Sequence, residues 1–391
     1  MPASPMPSPE LLGLPESDLA ASGALWTARE IEQQPRVLLR THALVAEMAE
    51  SLAAFIAPVS GDPTARVILT GAGTSAYIGE CLAPWLDRQL AARVDAVPTT
   101  DLVSAPQLYL DPARPLLLVS FGRSGNSPES VAAVELAEAL VGDVRHLVVT
   151  CNADGALGRV AVRQSMTLLL PPETHDVSFA MTSSFSCMML ATLAALCGPH
   201  TPETRVHAIA AATATVLQQA RGLTQELALC GFERVVYLGS ALFKGLAREA
   251  ALKLGELSNG AIATCFESPM GFRHGPKTFV TARTLVVVFV SNDPLTRRYD
   301  LDLLDELRGD GVAARVIEVT AAAPHGPVRD AVRVTGLERA HDLDLLWPYV
   351  AMAQLFAFHA SRALGVRPDS PNAQGTVNRV VQGVRLYPLV P

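Results

Sequence analysis

The chain reads as two kinds of pattern in succession. From Thr27 to about Ile56 apolar residues recur at helical spacing, and Thr27 with Glu30 three residues on has the form of a capping box. From residue 67 short continuous apolar runs alternate with helical stretches. The predicted strands are Val67–Thr70, Leu116–Ser120, His146–Thr150 and Met166–Leu170; the helices between and after them are Ser75–Gln89, Pro128–Leu140 and Ala180–Leu196. One long helix, Pro202–Cys230, leads into a second series. Its strands are Val235–Leu238, Ile262–Phe266, Leu285–Val290 and Arg315–Val319, with helices Leu242–Leu257, Leu301–Gly309 and Leu343–Leu364. Strands apolar along their whole length and separated by helices predict parallel sheets covered on both faces. Each series opens with a strand, a glycine turn and a helix, at Gly71 and at Gly239. The expected organisation is a duplicated α/β domain. Residues 1–24 form a mobile arm, 25–56 a helical segment, 57–200 the first domain, 201–217 a bridging helix, 218–364 the second domain and 365–391 a C-terminal tail.

Composition narrows the function. Nearly half of the 391 residues are hydrophobic and only 5% aromatic, so the core is built mainly from Ala, Val and Leu. The formal charge of −7, without a long basic run, argues against nucleic-acid binding, which needs cations to displace counterions. None of the six cysteines forms a C-x-x-C pair, which favours free thiols in a reducing cytosol over a zinc site or a disulfide framework. The opening MPASPMPSPE lacks the basic-then-apolar order of a signal peptide, and apolar runs are strand-length, so a soluble protein with no membrane span is expected.

Four segments carry candidate chemistry. Gly71-Ala72-Gly73-Thr74-Ser75-Ala76 joins a strand to a helix, where glycines permit a tight turn and free N–H groups favour an anion. A structural turn, a dinucleotide site and a sugar-phosphate site all remain open for it, although no convincing strand ending in an acid follows near Asp95 or Asp101. Ser120-Phe121-Gly122-Arg123-Ser124-Gly125-Asn126-Ser127-Pro128 also joins a strand to a helix. It supplies hydroxyls, an amide, a cation and backbone donors, the groups a phosphate wants, at the end of a parallel strand where ligands bind. Glu249, Lys253 and Glu256 share one face of a helix with Ala- and Leu-rich flanks, which makes a solvated salt-bridge ladder a poor account of them. His274, followed by Gly275-Pro276, sits in a rigid turn, and an imidazole can move protons at neutral pH.

In order and spacing these segments resemble the sugar isomerase (SIS) domain family. Within it they are most similar to the AgaS-type proteins, which include tagatose-6-phosphate ketose/aldose isomerases and galactosamine-6-phosphate deaminases. The resemblance runs from Thr27-Ala28-Arg29-Glu30-Ile31-Glu32-Gln33-Gln34-Pro35 through Phe179 to Ser186, Gly245 to Lys253 and Gly271 to Lys277, and on to Asn378-Arg379-Val380-Val381-Gln382. It implies two tandem flavodoxin-like domains, each a parallel sheet flanked by helices, as in the isomerase half of glucosamine-6-phosphate synthase.

The resemblance also implies roles. Ser124, Gly125, Asn126 and Ser127 carry the phosphate, helped by Arg123; Gly73, Thr74, Ser75, Thr182 and Ser183 line the sugar site. Glu256 is the base moving a proton between C1 and C2, with Lys253 and Glu249 beside it on the helix. His274 opens the sugar ring, in such enzymes often from the partner subunit, so a homodimer with interfacial active sites is implied. The synthase's C-terminal Schiff-base lysine is matched here by Asn378 and Arg379, in a tail that closes the site. With no glutaminase domain, release of ammonia is expected rather than amination. The implied substrate is a small amino-sugar 6-phosphate, with no cofactor and no metal. The rival readings are isomerisation without deamination, a non-catalytic sugar-phosphate sensor and a dinucleotide-dependent oxidoreductase.

Overall fold

The computed structural model describes residues 10–381 and 383–388. It opens with a small hairpin, β1 (Glu10–Leu11) and β2 (Leu14–Pro15), and four helices: α1 (Glu16–Ala21), α2 (Leu25–Glu32), α3 (Gln34–Glu47) and α4 (Ala49–Ser60). The first α/β series follows as β3 (Arg66–Thr70), α5 (Thr74–Leu86), β4 (Arg93–Ala96), α6 (Thr99–Ser104), β5 (Leu116–Gly122), α7 (Pro128–Leu140), β6 (Val144–Thr150), β7 (Ser165–Leu169) and α8 (Ser183–Leu196). Helices α9 (Glu203–Gln219) and α10 (Arg221–Leu229) lead to the second. That series is β8 (Arg234–Gly239), α11 (Leu242–Leu257), β9 (Ala263–Glu267), α12 (Pro269–Phe272), β10 (Thr284–Phe289), α13 (Pro294–Asp310), β11 (Arg315–Thr320), β12 (Ala331–Arg333) and α14 (Asp342–Ala363).

Each series makes a five-stranded, wholly parallel sheet, ordered β4-β3-β5-β6-β7 and β12-β11-β10-β8-β9. The chain winds one way from the first strand of each sheet and then the other way, so β3/β5 and β8/β10 are topological switch points, where a crevice opens at the strand ends. Side-chain alternation divides the cores. Val67 and Leu69 of β3 and Val235 and Tyr237 of β8 join one large core shared by both halves. Ile68 faces α6 and α7, while Val236 and Leu238 face α13. Helices α11 and α5 cross closely at Gly245, where a Cβ would lie 2.8 Å from the Glu80 backbone. That contact joins the second half's α11 to the first half through α5.

Several expectations need correction. Residues 10–21 are not a free arm: they form a hairpin and helix, with Leu12 and Leu19 fully buried. Residues 1–9 lie outside the described residues, as does Gln382. The capping box at Thr27 does not form. Helix α2 begins at Leu25, its first N–H groups are taken by the Asp369 carboxylate from the tail, and Glu30 turns elsewhere. The single helix over 202–230 is broken at Ala220, beside the Arg221 side chain, which donates to the Leu217 carbonyl at 3.0 Å, and Gly222. Strand β4, passed over among prolines and threonines, is real. Its Asp95 pairs with Arg66 and Arg93 instead of facing a ribose. Among the described residues no single helix is long and apolar enough to cross a membrane.

Candidate functional site

A cavity of about 210 Å³ lies at the β3/β5 switch point. Its floor is the two turns read from the sequence. After β3, Gly73 takes φ +56° as it enters α5, and Thr74 and Ser75 line the cavity from the first turn. After β5, the turn Gly122 to Ser127 runs into α7, whose first turn holds Pro128. Gly125 has φ +66°, and a Cβ there would press on the Gly155 backbone at 3.2 Å, so this position requires glycine. The turn is staked from β6: Thr150 donates to the Gly122 carbonyl at 2.7 Å and the Asn152 amide to the Ser124 carbonyl at 2.8 Å. Ser127 flanks α7 without using its hydroxyl as a cap.

Opposite this floor stands α11. Glu249 and Lys253 are fully buried, while Glu256, about a quarter exposed, reaches the cavity. Lys253 Nζ is bonded to Glu256 and lies 3.6 Å from Glu249. Burial works to lower the lysine, but Glu249 and Glu256 outweigh it and leave the ammonium above its ordinary range. Burial, reinforced by Glu256 against the pull of Lys253, pushes Glu249 up to about 8. At neutral pH the row is therefore an uncharged acid beside an ammonium, with Glu256 beyond them facing the cavity. A carboxylate fixed by an ammonium beside an anion cradle can move a proton on a small molecule held by its phosphate.

The remaining predicted residues divide. Ser124, Gly125, Ser127, Gly73, Thr74, Ser75 and Asn378 all line the cavity with Glu256. Asn126 does not: its side chain accepts the Ala156 N–H at 3.0 Å and faces away. Thr182 and Ser183 do not reach the cavity either, because their segment is tied to the Asp176 carboxylate. Asp176 accepts from the Thr182 and Ser184 N–H groups at 2.8 and 2.9 Å and from the Ser183 hydroxyl. Arg123 lines the cavity but spends its guanidinium on the carbonyls of Ser178, Phe179 and Arg379. Burial, with Arg379 beside it, brings Arg123 down to about 10, still protonated at neutral pH. His274 is exposed and outside its own chain's cavity. Its turn is fastened to α13 through Arg273 to Asp302 and Glu306, and through Lys277 to Glu306 and Asp310.

Against known proteins, residues 63–197 match the SIS domain. The chain is 46% identical over 380 residues to D-galactosamine-6-phosphate deaminase AgaS of Escherichia coli, covering 94% of this chain and 97% of that one. The chain belongs to the SIS domain family. The same-named protein of Shewanella sp. (strain ANA-3) is 43% identical over 388 residues, with 96% and 95% covered. The crystal structure of tagatose-6-phosphate ketose/aldose isomerase from Escherichia coli superposes with a TM-score of 0.86 at 42% identity, over 93% of this chain and 96% of that one. Tandem parallel-sheet SIS domains are thus the architecture of this family member.

Phe179 and Met181 wall the cavity, and Val377, Arg379 and Val381 close it from the tail. The sequence points to the tail through Asn378 and Arg379, but not to Phe179, Met181, Val377 and Val381 as wall residues, because apolar side chains carry no chemical signature of a ligand. The segment Phe179-Ala180-Met181-Thr182-Ser183 was in view, but its apolar members, not its hydroxyls, meet the ligand space.

Proposed function

We propose that this SIS protein is an amino-sugar 6-phosphate deaminase of the ketose/aldose isomerase type, taking galactosamine 6-phosphate or glucosamine 6-phosphate to a ketose 6-phosphate and ammonia. The observation that carries the reading is Glu256, held by the Lys253 ammonium in the same cavity as the Ser124–Ser127 turn. The turn anchors the 6-phosphate and the carboxylate meets the C1–C2 end. His274, supplied by a partner chain in a homodimer, opens the ring. Glu256 removes the C2 proton of the open aldehyde, giving an enaminol, and returns a proton to C1. The C2 imine then adds water and expels ammonia, leaving the ketone. The electrons of the broken C2–H bond end in the new C1–H bond, so no oxidant enters. The names of the AgaS relatives support the nitrogen-bearing substrate, and the cytoplasm is the expected compartment.

Ammonia release from the two amino-sugar phosphates, measured beside ketose formation from the matching nitrogen-free aldose phosphates, tests the reading. Ketose without ammonia would replace deamination by plain isomerisation. Ser124→Ala should raise KM several-fold with kcat little changed, as expected for a group that binds ground and transition states alike; an unchanged KM would remove Ser124 from the anchor.

A further inference from the structure

We infer that Glu30, which does not line the cavity, is a positioning residue: from helix α2 its carboxyl holds the Val177–Ala180 turn that walls the cavity and orients Arg123. The inference rests on the deaminase reading only for its kinetic readout.

The geometry is that of a hub. One Glu30 oxygen accepts the Val177 N–H at 2.5 Å and the Ser178 N–H at 3.0 Å; the other meets the Ser178 hydroxyl. That hydroxyl lies 3.2 Å from the Ala180 carbonyl. The turn so held presents the Ser178 and Phe179 carbonyls to Arg123, at 3.1 and 3.0 Å, and the Phe179 ring to the cavity. Arg123 reaches on to the Arg379 carbonyl at 3.0 Å, and the Arg379 side chain returns to the Asp176 carbonyl. Wall and tail are therefore knotted through one turn. The same helix grips the tail a second time, where the Thr27 N–H and hydroxyl both bond to Asp369 at 2.8 and 2.7 Å. Gln33, just beyond the helix, donates to the Glu173 carbonyl and the Ser183 hydroxyl at the other side of the turn.

The protonation state fits this task. Burial, with Asp176 adding repulsion, pushes Glu30 up to about 8. The hydrogen bonds from Ser178 and Val177 pull the other way, and the Glu30 carboxyl in turn helps to hold the proton on Arg123. As an uncharged acid, Glu30 donates to the Ser178 hydroxyl, which is then free to donate to Ala180, while the other oxygen keeps both N–H bonds. Once ionised, it must take the Ser178 hydrogen, and the Ala180 carbonyl is left without it. A glutamine reproduces the uncharged pattern.

The test compares Glu30→Ala and Glu30→Gln by kinetics and by amide exchange. Glu30→Ala should lower kcat/KM about tenfold, mainly through KM, because the wall and tail lose their register. It should lower the protection of the Val177 and Ser178 amides and of residues 376–381 while the protein still melts cooperatively. Glu30→Gln should restore both. In the wild type, protection at Val177 and Ser178 should fall as pH rises from about 4.5 to about 8, the interval in which the closed turn keeps a proton that the opened turn releases, and in Glu30→Gln it should not. Unchanged exchange and KM in Glu30→Ala would overturn the assignment. So would a Glu30→Gln variant that keeps the loss with rising pH, which decides the matter even if Glu30→Ala fails to fold. If the wild type released no ammonia, the deaminase reading would fall, and the exchange experiment would still judge Glu30.

Discussion

Glu256→Gln should lower kcat by at least ~10²-fold while binding of galactosamine 6-phosphate, measured by calorimetry, persists; this is the usual scale for removing a general base. The amide keeps the size of the side chain and one acceptor for Lys253, but it cannot take a proton. Removing the Glu256 charge also removes one cause of the raised Glu249 pKa, so Glu249, 3.6 Å from the ammonium, ionises more readily and keeps the buried row balanced. The anchor lies on a different element, the turn after β5, which is staked by Thr150 and Asn152 and not by α11. Chemistry and binding should therefore separate in this variant. A melting curve close to the wild type would show that the loss is not one of folding. Turnover near the wild-type rate would remove Glu256 from the proton transfer.

His274→Ala should also lose ~10²-fold or more in turnover, the range of an acid–base group. The particular expectation concerns mixing. His274 is exposed and its turn is braced against α13 through Arg273 and Lys277, so it is held out from its own chain. If the histidine serves the Glu256 of a partner, a mixed dimer of His274→Ala and Glu256→Gln chains carries one site with both groups intact. Random pairing of equal amounts should then restore roughly a quarter of wild-type activity, since half the symmetric dimers are mixed and one of two sites in each is whole. Activity that stays at the level of the separate variants after exchange of subunits would place His274 in its own chain's site or outside the reaction.

The sequence carried most of the fold. Helices α7 and α11 have the predicted limits, and β3, β5, β8 and β10 lie within two residues of theirs, because continuous apolar runs between glycine turns have few other physical solutions. Short elements were harder. Strand β4 is four residues long with a charged residue at its start and another inside, so neither length nor alternation marked it. Thr27 and Glu30 fitted a local capping box, but their partners lie at Asp369 and at Val177 and Ser178, in segments distant along the chain. Thr182 and Ser183 failed for a similar reason. A hydroxyl beside a helix start can face a ligand or an internal carboxylate, and only tertiary structure shows that Asp176 claims this segment. The cavity's composition was legible where backbone geometry dictates it, at Gly73 and Gly125, and much less so where apolar side chains close the wall.

The second half repeats the switch-point geometry of the first, with a different outcome. Ala241 enters α11 at φ +49°, as Gly73 enters α5 at +56°. At the facing strand end, the Ser291 N–H donates to Asp300 at 2.9 Å, the Ser240 hydroxyl to the same carboxylate at 2.6 Å, and the Asn292 N–H to Asp342 at 2.7 Å. The donors that would greet a phosphate are thus taken by carboxylates tethered to the same chain, and a tethered occupant has the advantage of permanent proximity over any free anion. Duplication of the fold has not duplicated the open crevice with its free donors. One copy is stoppered from within and spends its shape on holding α11 and the His274 turn, so under the proposed reading the protein should be saturated by one sugar phosphate per chain.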